Sequence, residues 1–248
     1  GEVLVLGALA SFWLYTTSQI SPLLTIILVI PISFLGNWLI YRFLLTPLVK
    51  RSKTQGHLEV DSILATFGMS FILIGIMVSI EGGFFAYNYL SMPISVIGST
   101  TSLNRLLAFI IAVFIGSMLY LWLNHTRSGV AVRAISVSTE ASGLVGINVP
   151  RVSALAFALG GVVTAVGGAL ISTFITLDAS IGVVFTLKAL IIVIMGGVGD
   201  IRGAIVAAVI LGVVETTVAT LIDPGLTLAA AYFIFLLILL FRPQGLFG

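Results

Sequence analysis

Charged residues are scarce in this chain. Only 8% of its 248 residues are Asp, Glu, Lys or Arg, whereas about 25% is usual in a soluble domain. A water-soluble globule of this size cannot cover its surface with so few charges. The composition therefore excludes a soluble enzyme, a nucleic-acid-binding protein and a disordered linker. The 59% hydrophobic content, the mean hydropathy of +1.25 and the 26 glycines indicate a protein of the lipid bilayer instead.

Cysteine and two common motifs for cofactor binding are also missing. The chain has no cysteine, which excludes disulfides, thiolate metal sites and thiol catalysis. Its two histidines, His57 and His125, are far apart in the sequence and have no His or Cys nearby, so we expect no metal site. No Gly-x4-Gly-Lys-Ser/Thr loop is present to bind the phosphates of ATP. The chain itself therefore has no obvious means of binding the phosphates of ATP.

The sequence contains long apolar runs, not the short segments of alternating polarity that are typical of β-barrel strands. These runs predict membrane-spanning helices. The expected fold is all-α: a polytopic transmembrane helical bundle that forms a single domain over residues 1–248. We predict about eight membrane segments, at residues 3–18, 20–41, 62–80, 106–123, 152–177, 182–195, 204–221 and 226–241.

The basic residues are sorted by this topology. If the connection after residue 41 is cytoplasmic, nine of the eleven basic residues fall on the cytoplasmic side and only Arg105 and Lys188 do not. The basic pI near 9.1 then reflects membrane orientation and requires no nucleic acid. We expect a multi-pass protein of a bacterial or archaeal plasma (inner) membrane with a cytoplasmic C-terminus. The nine residues are Arg42, Lys50, Arg51, Lys53, Arg127, Arg133, Arg151, Arg202 and Arg242.

The cytoplasmic loop at residues 124–151 has helix signals of its own. Ser138 precedes Glu140 as an N-cap precedes an acidic first turn, and Gly146 stands where a left-handed C-cap fits. Pro150 then prevents the helix from continuing. One or two short helices outside the membrane are predicted. They are either an amphipathic connector resting on lipid headgroups or an element that docks onto a cytoplasmic protein.

Several stretches resemble the permease subunits of branched-chain amino acid ABC importers, and they follow the family's order over nearly the whole chain. The stretch RVSALAFALGG at 151–161 looks more like the H-type than the M-type subunit. Chains of this family usually begin before the Gly-Glu pair, so we expect the natural protein to start upstream of Gly1. The other stretches are GEVLVLGA at 1–8, TRSGVAVRA at 126–134, EASGLVGIN at 140–148, GGVGDIRGA at 196–204, Glu215 and RPQGLFG at 242–248.

The resemblance implies an importer of branched-chain amino acids or similar small polar solutes, such as other amino acids, amides or urea. It implies that this chain is a transport subunit, not an enzyme, and binds no cofactor of its own. It further implies a second permease subunit, M-type or a copy of this chain, two ATPase subunits that bind ATP and Mg, and an external solute-binding protein. The 124–151 loop would couple the bundle to the ATPases and allow alternating access. The expected coupling residues are Arg133, Ser138, Glu140, Ala141, Gly143, Gly146 and Asn148.

Two charges inside predicted membrane segments, Lys188 and Glu215, are candidates for the translocation pathway. Such groups face the bundle interior, pair together or line a solvated path; Lys188 alternatively snorkels to the boundary, and Glu215 alternatively makes a structural polar contact. An autonomous ion-coupled carrier or channel that uses both residues is the alternative function. Glu2 is not interpretable without its upstream context.

Glycine and other small residues give two further predictions. Gly196, Gly197 and Gly199 are pathway candidates within a segment that is either a tight turn or a broken, re-entrant helix. Small residues at four-residue spacing predict two faces for close helix packing. These faces contain Gly160, Thr164 and Gly168 in one helix and Ala204, Ala208 and Gly212 in the other.

Overall fold

A computed structural model describes residues 1–51, 55–81, 84–87, 89–96, 99–197, 199–242 and 244–247 of the chain. Its helices are α1 (Glu2–Ser18), α2 (Pro22–Ile40), a π-helical turn (Tyr41–Leu45), α3 (Thr46–Arg51), α4 (Gln55–Glu81), α5 (Leu103–His125), α6 (Arg127–Val137), α7 (Thr139–Leu144), α8 (Val149–Ile171), α9 (Ile181–Gly196), α10 (Ile201–Leu221), a 3-10 turn (Pro224–Leu226) and α11 (Thr227–Phe241). The strands are β1 (Phe84–Phe85), β2 (Pro93–Val96), β3 (Ser99–Ser102) and β4 (Leu177–Asp178).

The prediction of an all-α polytopic protein is confirmed. In the described part of the chain, six helices are long and apolar enough to cross a membrane. The other two predicted segments, 3–18 and 182–195, form the apolar helices α1 and α9, which at 17 and 16 residues are shorter than a usual span. The structure therefore supports six spans, and the count of about eight stays a prediction.

One predicted boundary is wrong. The 152–177 segment was expected to be continuous, but α8 ends at Ile171. The hydroxyls of Ser172 and Thr173 donate to the carbonyls of Ala169 and Leu170, 2.9 and 2.7 Å away, which favours a turn over another helical repeat. The chain then enters β4, where Leu177 pairs with Phe85 of β1.

The first packed group consists of α1, α2 and α8, whose backbones approach closely. A Cβ at Gly7 would lie 2.1 Å from the carbonyl oxygen of Ala165, and a Cβ at Gly168 would lie 1.8 Å from that of Leu4. The hydroxyl of Ser33 on α2 donates to the carbonyl of Gly161 on α8 at 3.0 Å. Small residues thus let α8 contact both α1 and α2 at backbone distance.

The second packed group consists of α9, α10 and α11, joined by the residues that follow α11. The Leu246 amide donates to the Met195 carbonyl at 2.9 Å, and the Phe247 amide donates to the Gly196 carbonyl at 3.3 Å. These bonds satisfy carbonyls at the C-terminal end of α9 that have no partner within the helix. The apolar core of this group contains Ile191, Met195, Ala207, Leu211 and Ala231.

The connection from α4 to α5 lies at the end of the bundle opposite the 124–151 loop, because α5 separates the two. It forms antiparallel pairs between β1 and β4 and between β2 and β3. The Tyr87 hydroxyl lies 2.8 Å from the Ser11 hydroxyl of α1 and 3.0 Å from the Ser172 hydroxyl after α8. Burial raises the pKa of Tyr87 above its usual value, with these two hydrogen bonds acting in the opposite direction, so the phenol stays protonated at neutral pH.

Candidate functional sites

The 124–151 loop folds into two short helices, α6 and α7, as its sequence predicts. Ser138 is the N-cap of α7, and its hydroxyl accepts a hydrogen bond from the Ala141 amide at 3.2 Å. Glu140 lies in the first turn of this helix, where its negative charge interacts favourably with the positive end of the helix dipole. Gly146 has a φ of 83°, which fits the predicted left-handed position after the helix. Local signals therefore predicted both ends of α7 correctly.

Apolar side chains on both sides of α7 are uncovered. Val137, Leu144 and Val145 are 88%, 90% and 76% exposed, respectively, although an apolar side chain gains by burial. Gly143 has nothing within 4 Å of a Cβ position, so this side of α7 is also open. The arrangement presents a short apolar edge beside the carboxylate of Glu140. It fits an element that packs against another surface.

Asn148 and Arg133 connect this loop to the bundle. The Asn148 side chain caps α8 by accepting from the Arg151 amide at 3.2 Å. The Arg133 guanidinium on α6 donates to the Asn124 side chain at the end of α5, 2.8 Å away. A displacement of α6 and α7 would therefore act directly on the ends of α5 and α8.

The described residues of the Gly196–Gly203 segment make a tight turn between α9 and α10, the first of the two alternatives. Gly197 and Gly199 have φ values of 102° and 97°, which side chains other than glycine rarely adopt. A Cβ at Gly203 would lie only 2.0 Å from the carbonyl oxygen of Gly196, so the two helices touch at their ends. Asp200 caps α10 by accepting from the Arg202 amide at 2.8 Å.

This turn lies beside helix α6, which could not be predicted from the sequence. A cavity of about 470 Å³ is lined by Gly199 and Arg202 from the turn, by Arg133 from α6 and by Tyr120 from α5. The Arg202 guanidinium lies 4.7 Å from the centre of the Tyr120 ring, in a cation–π contact. Arg133 and Gly199 are more than sixty residues apart in sequence, so only the fold brings the turn beside α6.

Lys188 and Glu215 form an ion pair between α9 and α10. The Lys188 Nζ lies 2.8 Å from Oε1 and 2.9 Å from Oε2 of Glu215. The side chains are 24% and 20% exposed, so both are mostly buried. The two residues therefore pair with each other, which was one of the predicted alternatives. Lys188 does not snorkel away from Glu215. Gly196 is eight residues further along α9, about 12 Å away along the axis, so the pathway candidates do not form one cluster.

The two predicted packing faces are only partly used within this chain. Gly168 lies against α1, and the backbone of Ala204 lies against Gly196. The Thr164 hydroxyl donates within its own helix to the Gly160 carbonyl, 2.8 Å away. Gly160 and Gly212 have open space at their Cβ positions, and Ala208 is exposed. A helix face that consists of small residues is therefore not always covered by another helix of this chain.

Comparison with known proteins assigns this multi-pass helical protein to a class. Residues 1–242 match the family described as the branched-chain amino acid transport system / permease component. The chain belongs to this family, so it is a transport permease component and not an enzyme. No solved structure matches the chain.

The relatives include two proteins named high-affinity branched-chain amino acid transport system permease protein LivH, from Salmonella typhimurium and Escherichia coli K12. Each is 28% identical over 268 residues, which cover 100% of this chain and 84% of the relative. The corresponding permease protein BraD of Pseudomonas aeruginosa is 30% identical over 162 residues, covering 65% of this chain and 53% of BraD. The resemblance to H-type permeases is confirmed.

Proposed function

We propose that this chain is the membrane-spanning subunit of an ATP-driven ABC importer for branched-chain amino acids or similar small polar solutes. Membership of the permease family and the names of the LivH relatives support this function. In this proposal α1 and α9 complete a set of eight membrane segments in the plasma membrane. The basic residues at 42–53, 127–151, 202 and 242 then lie on the cytoplasmic side together with the C-terminus.

The 124–151 loop is the proposed contact with the ATPases. The observation that carries this assignment is the uncovered apolar edge of α7, where Leu144 is 90% exposed beside Glu140 and the capping residue Ser138. A short rigid helix with an apolar edge is suited to a groove on a partner protein. ATP-driven closure of the partners would move α6 and α7, and with them α5 and α8. Only a partner that binds the two conformations differently can switch the bundle.

The complete importer in this proposal contains further subunits. A second permease, M-type or a copy of this chain, packs beside it, and two ATPases bind ATP and Mg. An external solute-binding protein delivers the solute at the 81–104 connection and supplies selectivity. Access then alternates between the two sides of the membrane.

The alternative function is an autonomous ion-coupled carrier or channel. The Lys188–Glu215 pair favours it because an ion pair at lipid depth can exchange protons or ions along a path. Reconstitution of the chain alone separates the two functions. Uptake that follows a proton or sodium gradient and needs no ATPase would support the carrier, whereas an importer subunit gives no uptake by itself.

The coupling assignment is tested by replacing Leu144 with Asp. Because this side chain is exposed, the chain should remain folded. A charge on the apolar edge should weaken ATPase binding about tenfold, which corresponds to about 1.4 kcal/mol of binding free energy. The measurement is the amount of ATPase that co-purifies with the full transporter, together with solute uptake. Ile222→Asp is the matched control, because Ile222 is 69% exposed at the end of α10 remote from this loop. Equal ATPase recovery with both variants would refute the assignment.

A further inference from the structure

A groove of about 730 Å³ runs between α5 and α10. It follows α5 from Phe109 to Ser117, about 12 Å along the helix axis. The two helices come close at one point, where a Cβ at Gly116 would lie 3.5 Å from Cδ1 of Ile205. Among the described residues, the lining comes from α5 and α10 alone, and Val213 in this lining is 60% exposed. No other described helix therefore covers this space, which we call the α5–α10 groove.

The α5–α10 groove is mainly apolar. Thr216 and Thr217 line it, but their hydroxyls donate to carbonyls of their own helix at 2.8 and 2.7 Å. Ser117 is the other polar side chain among the described lining residues. The remaining lining consists of apolar side chains and glycine, so the groove suits an apolar chain.

The cavity of about 470 Å³ described above adjoins one end of this groove. Tyr120, three residues beyond Ser117 on α5, lines this cavity, and so does Arg202, three residues before Ile205 on α10. Three residues correspond to about 4.5 Å along a helix. Since α5 and α10 contribute to both spaces, the cavity continues the groove toward the α9–α10 turn. We call it the basic cavity, because Arg133 and Arg202 line it.

The Arg202 guanidinium is available to a ligand. It lies 4.7 Å from the centre of the Tyr120 ring, which fixes its position beside the cavity. Within the described part of the chain, it makes no hydrogen bond and no ion pair. A guanidinium carries five N–H donors, so Arg202 retains its full capacity to bind an anion.

Arg133 adds a second positive charge to the same cavity. Its guanidinium donates to the Asn124 side chain at 2.8 Å, and its other N–H groups have no partner among the described residues. The Asp200 carboxylate also lines the cavity, but it accepts from the Arg202 amide at 2.8 Å and forms no ion pair with either guanidinium. The cavity therefore keeps a net positive charge. Guanidinium groups bind phosphate through paired N–H donors.

The basic cavity lies at the level of the lipid headgroups. Tyr120 and Arg202 belong to the end turns of α5 (Leu103–His125) and α10 (Ile201–Leu221), which are both long and apolar enough to span a membrane. Aromatic and basic side chains are enriched at such span ends. In the orientation of the proposed function this end faces the cytoplasm, where basic pockets between membrane helices bind anionic headgroups.

The cavity between α1, α2, α4 and α8 provides a comparison. It has a volume of about 320 Å³ and is also mainly apolar, but no Lys or Arg is found among its described lining residues. Its chemistry selects no particular occupant. The α5–α10 groove differs because two guanidiniums lie at one of its ends. An apolar helix would leave these charges without an anion, whereas an amphiphile with a phosphate satisfies both parts.

We propose that the α5–α10 groove and the basic cavity together bind one anionic phospholipid. The phosphate contacts the guanidiniums of Arg133 and Arg202, and an acyl chain lies in the groove. The lipid thereby joins α6 to the ends of α5 and α10. This site goes beyond the proposed importer function and requires neither solute nor ATPase.

The first test removes the positive charges. The full-length chain in detergent micelles is titrated with palmitoyl-oleoyl-phosphatidylglycerol, which is anionic, or with phosphatidylcholine of the same chains, which has no net charge. Native mass spectrometry counts the bound lipids and the copies of the chain. The double variant Arg133→Gln/Arg202→Gln should lower the affinity for phosphatidylglycerol about twentyfold, because each basic side chain near the headgroup contributes about fivefold. The affinity for phosphatidylcholine should be unchanged.

Arg127→Gln/Arg151→Gln is the matched control for charge. Both arginines are exposed at the same end of the bundle and lie outside the lining of the basic cavity, so this variant loses the same charge. Its affinity for phosphatidylglycerol should stay within about twofold of the unaltered chain, because its cavity is intact. Equal losses in the two double variants would show general charge attraction and overturn the proposal.

The second test fills the groove. A Cβ at Gly212 meets nothing within 4 Å, so Gly212→Leu extends into the groove without a clash. The affinity for phosphatidylglycerol should fall about fivefold, since the displaced acyl chain loses on the order of ten van der Waals contacts. Gly75→Leu, at an exposed position of α4 with equally open space, should have no effect. Equal affinities of the two variants would mean that the groove holds no acyl chain and would overturn the proposal.

The same spectra separate the lipid from other occupants. Inorganic phosphate in large excess should displace little phosphatidylglycerol, because it has no acyl chain. Displacement by phosphate, with no effect of Gly212→Leu, would assign the cavity to a free anion and overturn the proposal. A dimer that Gly212→Leu dissociates, with unchanged lipid affinity in Arg133→Gln/Arg202→Gln, would assign the groove to a second copy of the chain and also overturn it.

Discussion

The α1–α2–α8 group and the α9–α10 hairpin hold their helices together in different ways. In the first group, Gly7 and Gly168 bring backbones into contact, and the hydrogen bond from Ser33 to Gly161 is neutral. In the hairpin, backbone contact is made at the turn end, at Gly196 and Gly203, and the Lys188–Glu215 ion pair joins the two helices further along.

The difference shows what each region tolerates. Lipid chains are as apolar as leucine, so burial of apolar surface does not hold helices together inside a membrane. The α1–α2–α8 group depends on shape and dispersion, and an added atom damages it. The hairpin depends on compensated charge, and the loss of one partner damages it. The predictions below separate these two modes of packing.

The largest effect is expected from Lys188→Met. Removing Lys188 leaves the Glu215 carboxylate without a compensating charge, which should lower the free energy of unfolding by about 3 kcal/mol. This value is the low end of the range for buried pairs, because both side chains keep some exposure. Unfolding in mixed micelles, followed by circular dichroism, measures it. The double variant Lys188→Met/Glu215→Met should recover most of the loss. A double variant as unstable as the single one would mean that the pair is not held by charge.

A smaller loss is expected from Gly168→Ala. The added Cβ would lie 1.8 Å from the Leu4 carbonyl oxygen, so α1 and α8 must separate, at a cost of about 2 kcal/mol. Gly160→Ala is the control in the same helix, because its Cβ position is open and alanine favours helix. The thermal unfolding midpoint of the detergent-solubilised protein should fall only for Gly168→Ala. Equal midpoints would contradict the close contact of α1 with α8.

The smallest effect is expected from Ser33→Ala. The lost hydrogen bond to Gly161 joins α2 to α8, and such bonds between membrane helices contribute about 0.6 kcal/mol. The same unfolding measurement applies. Thr164→Val is the comparison, since the Thr164 hydroxyl bonds only within its own helix and should not hold α2 against α8. A loss from Ser33→Ala as large as that from Lys188→Met would remove the distinction between the two regions.

Features that depend on neighbouring residues could be predicted from the sequence. The N-cap at Ser138, the left-handed Gly146 and the helical segments follow from local rules of capping, backbone freedom and apolar length. The end of α8 was missed because the hydroxyls of Ser172 and Thr173 and the pairing of β1 with β4 are not visible in apolar length alone.

Features that depend on distant residues could not be predicted. The spacing of Gly160, Thr164 and Gly168 defines a helix face but not its neighbour, and only Gly168 is covered by α1. The pairing of Lys188 with Glu215 was one option among several, since sequence does not fix which side of α9 faces α10. A cavity of about 320 Å³ beside Asn37 is lined by residues of α1, α2, α4 and α8, and such a combination of four helices leaves no periodic signal in the sequence.

The bonds from Leu246 and Phe247 to the end of α9 also bear on the order of synthesis. The ribosome makes α9 and α10 before residues 244–247, so the carbonyls of Met195 and Gly196 lack these partners until α11 has been made. We expect this turn to be the last part of the hairpin to settle, after translation has passed α11. Residues near the C-terminus thereby complete a structure begun some fifty residues earlier.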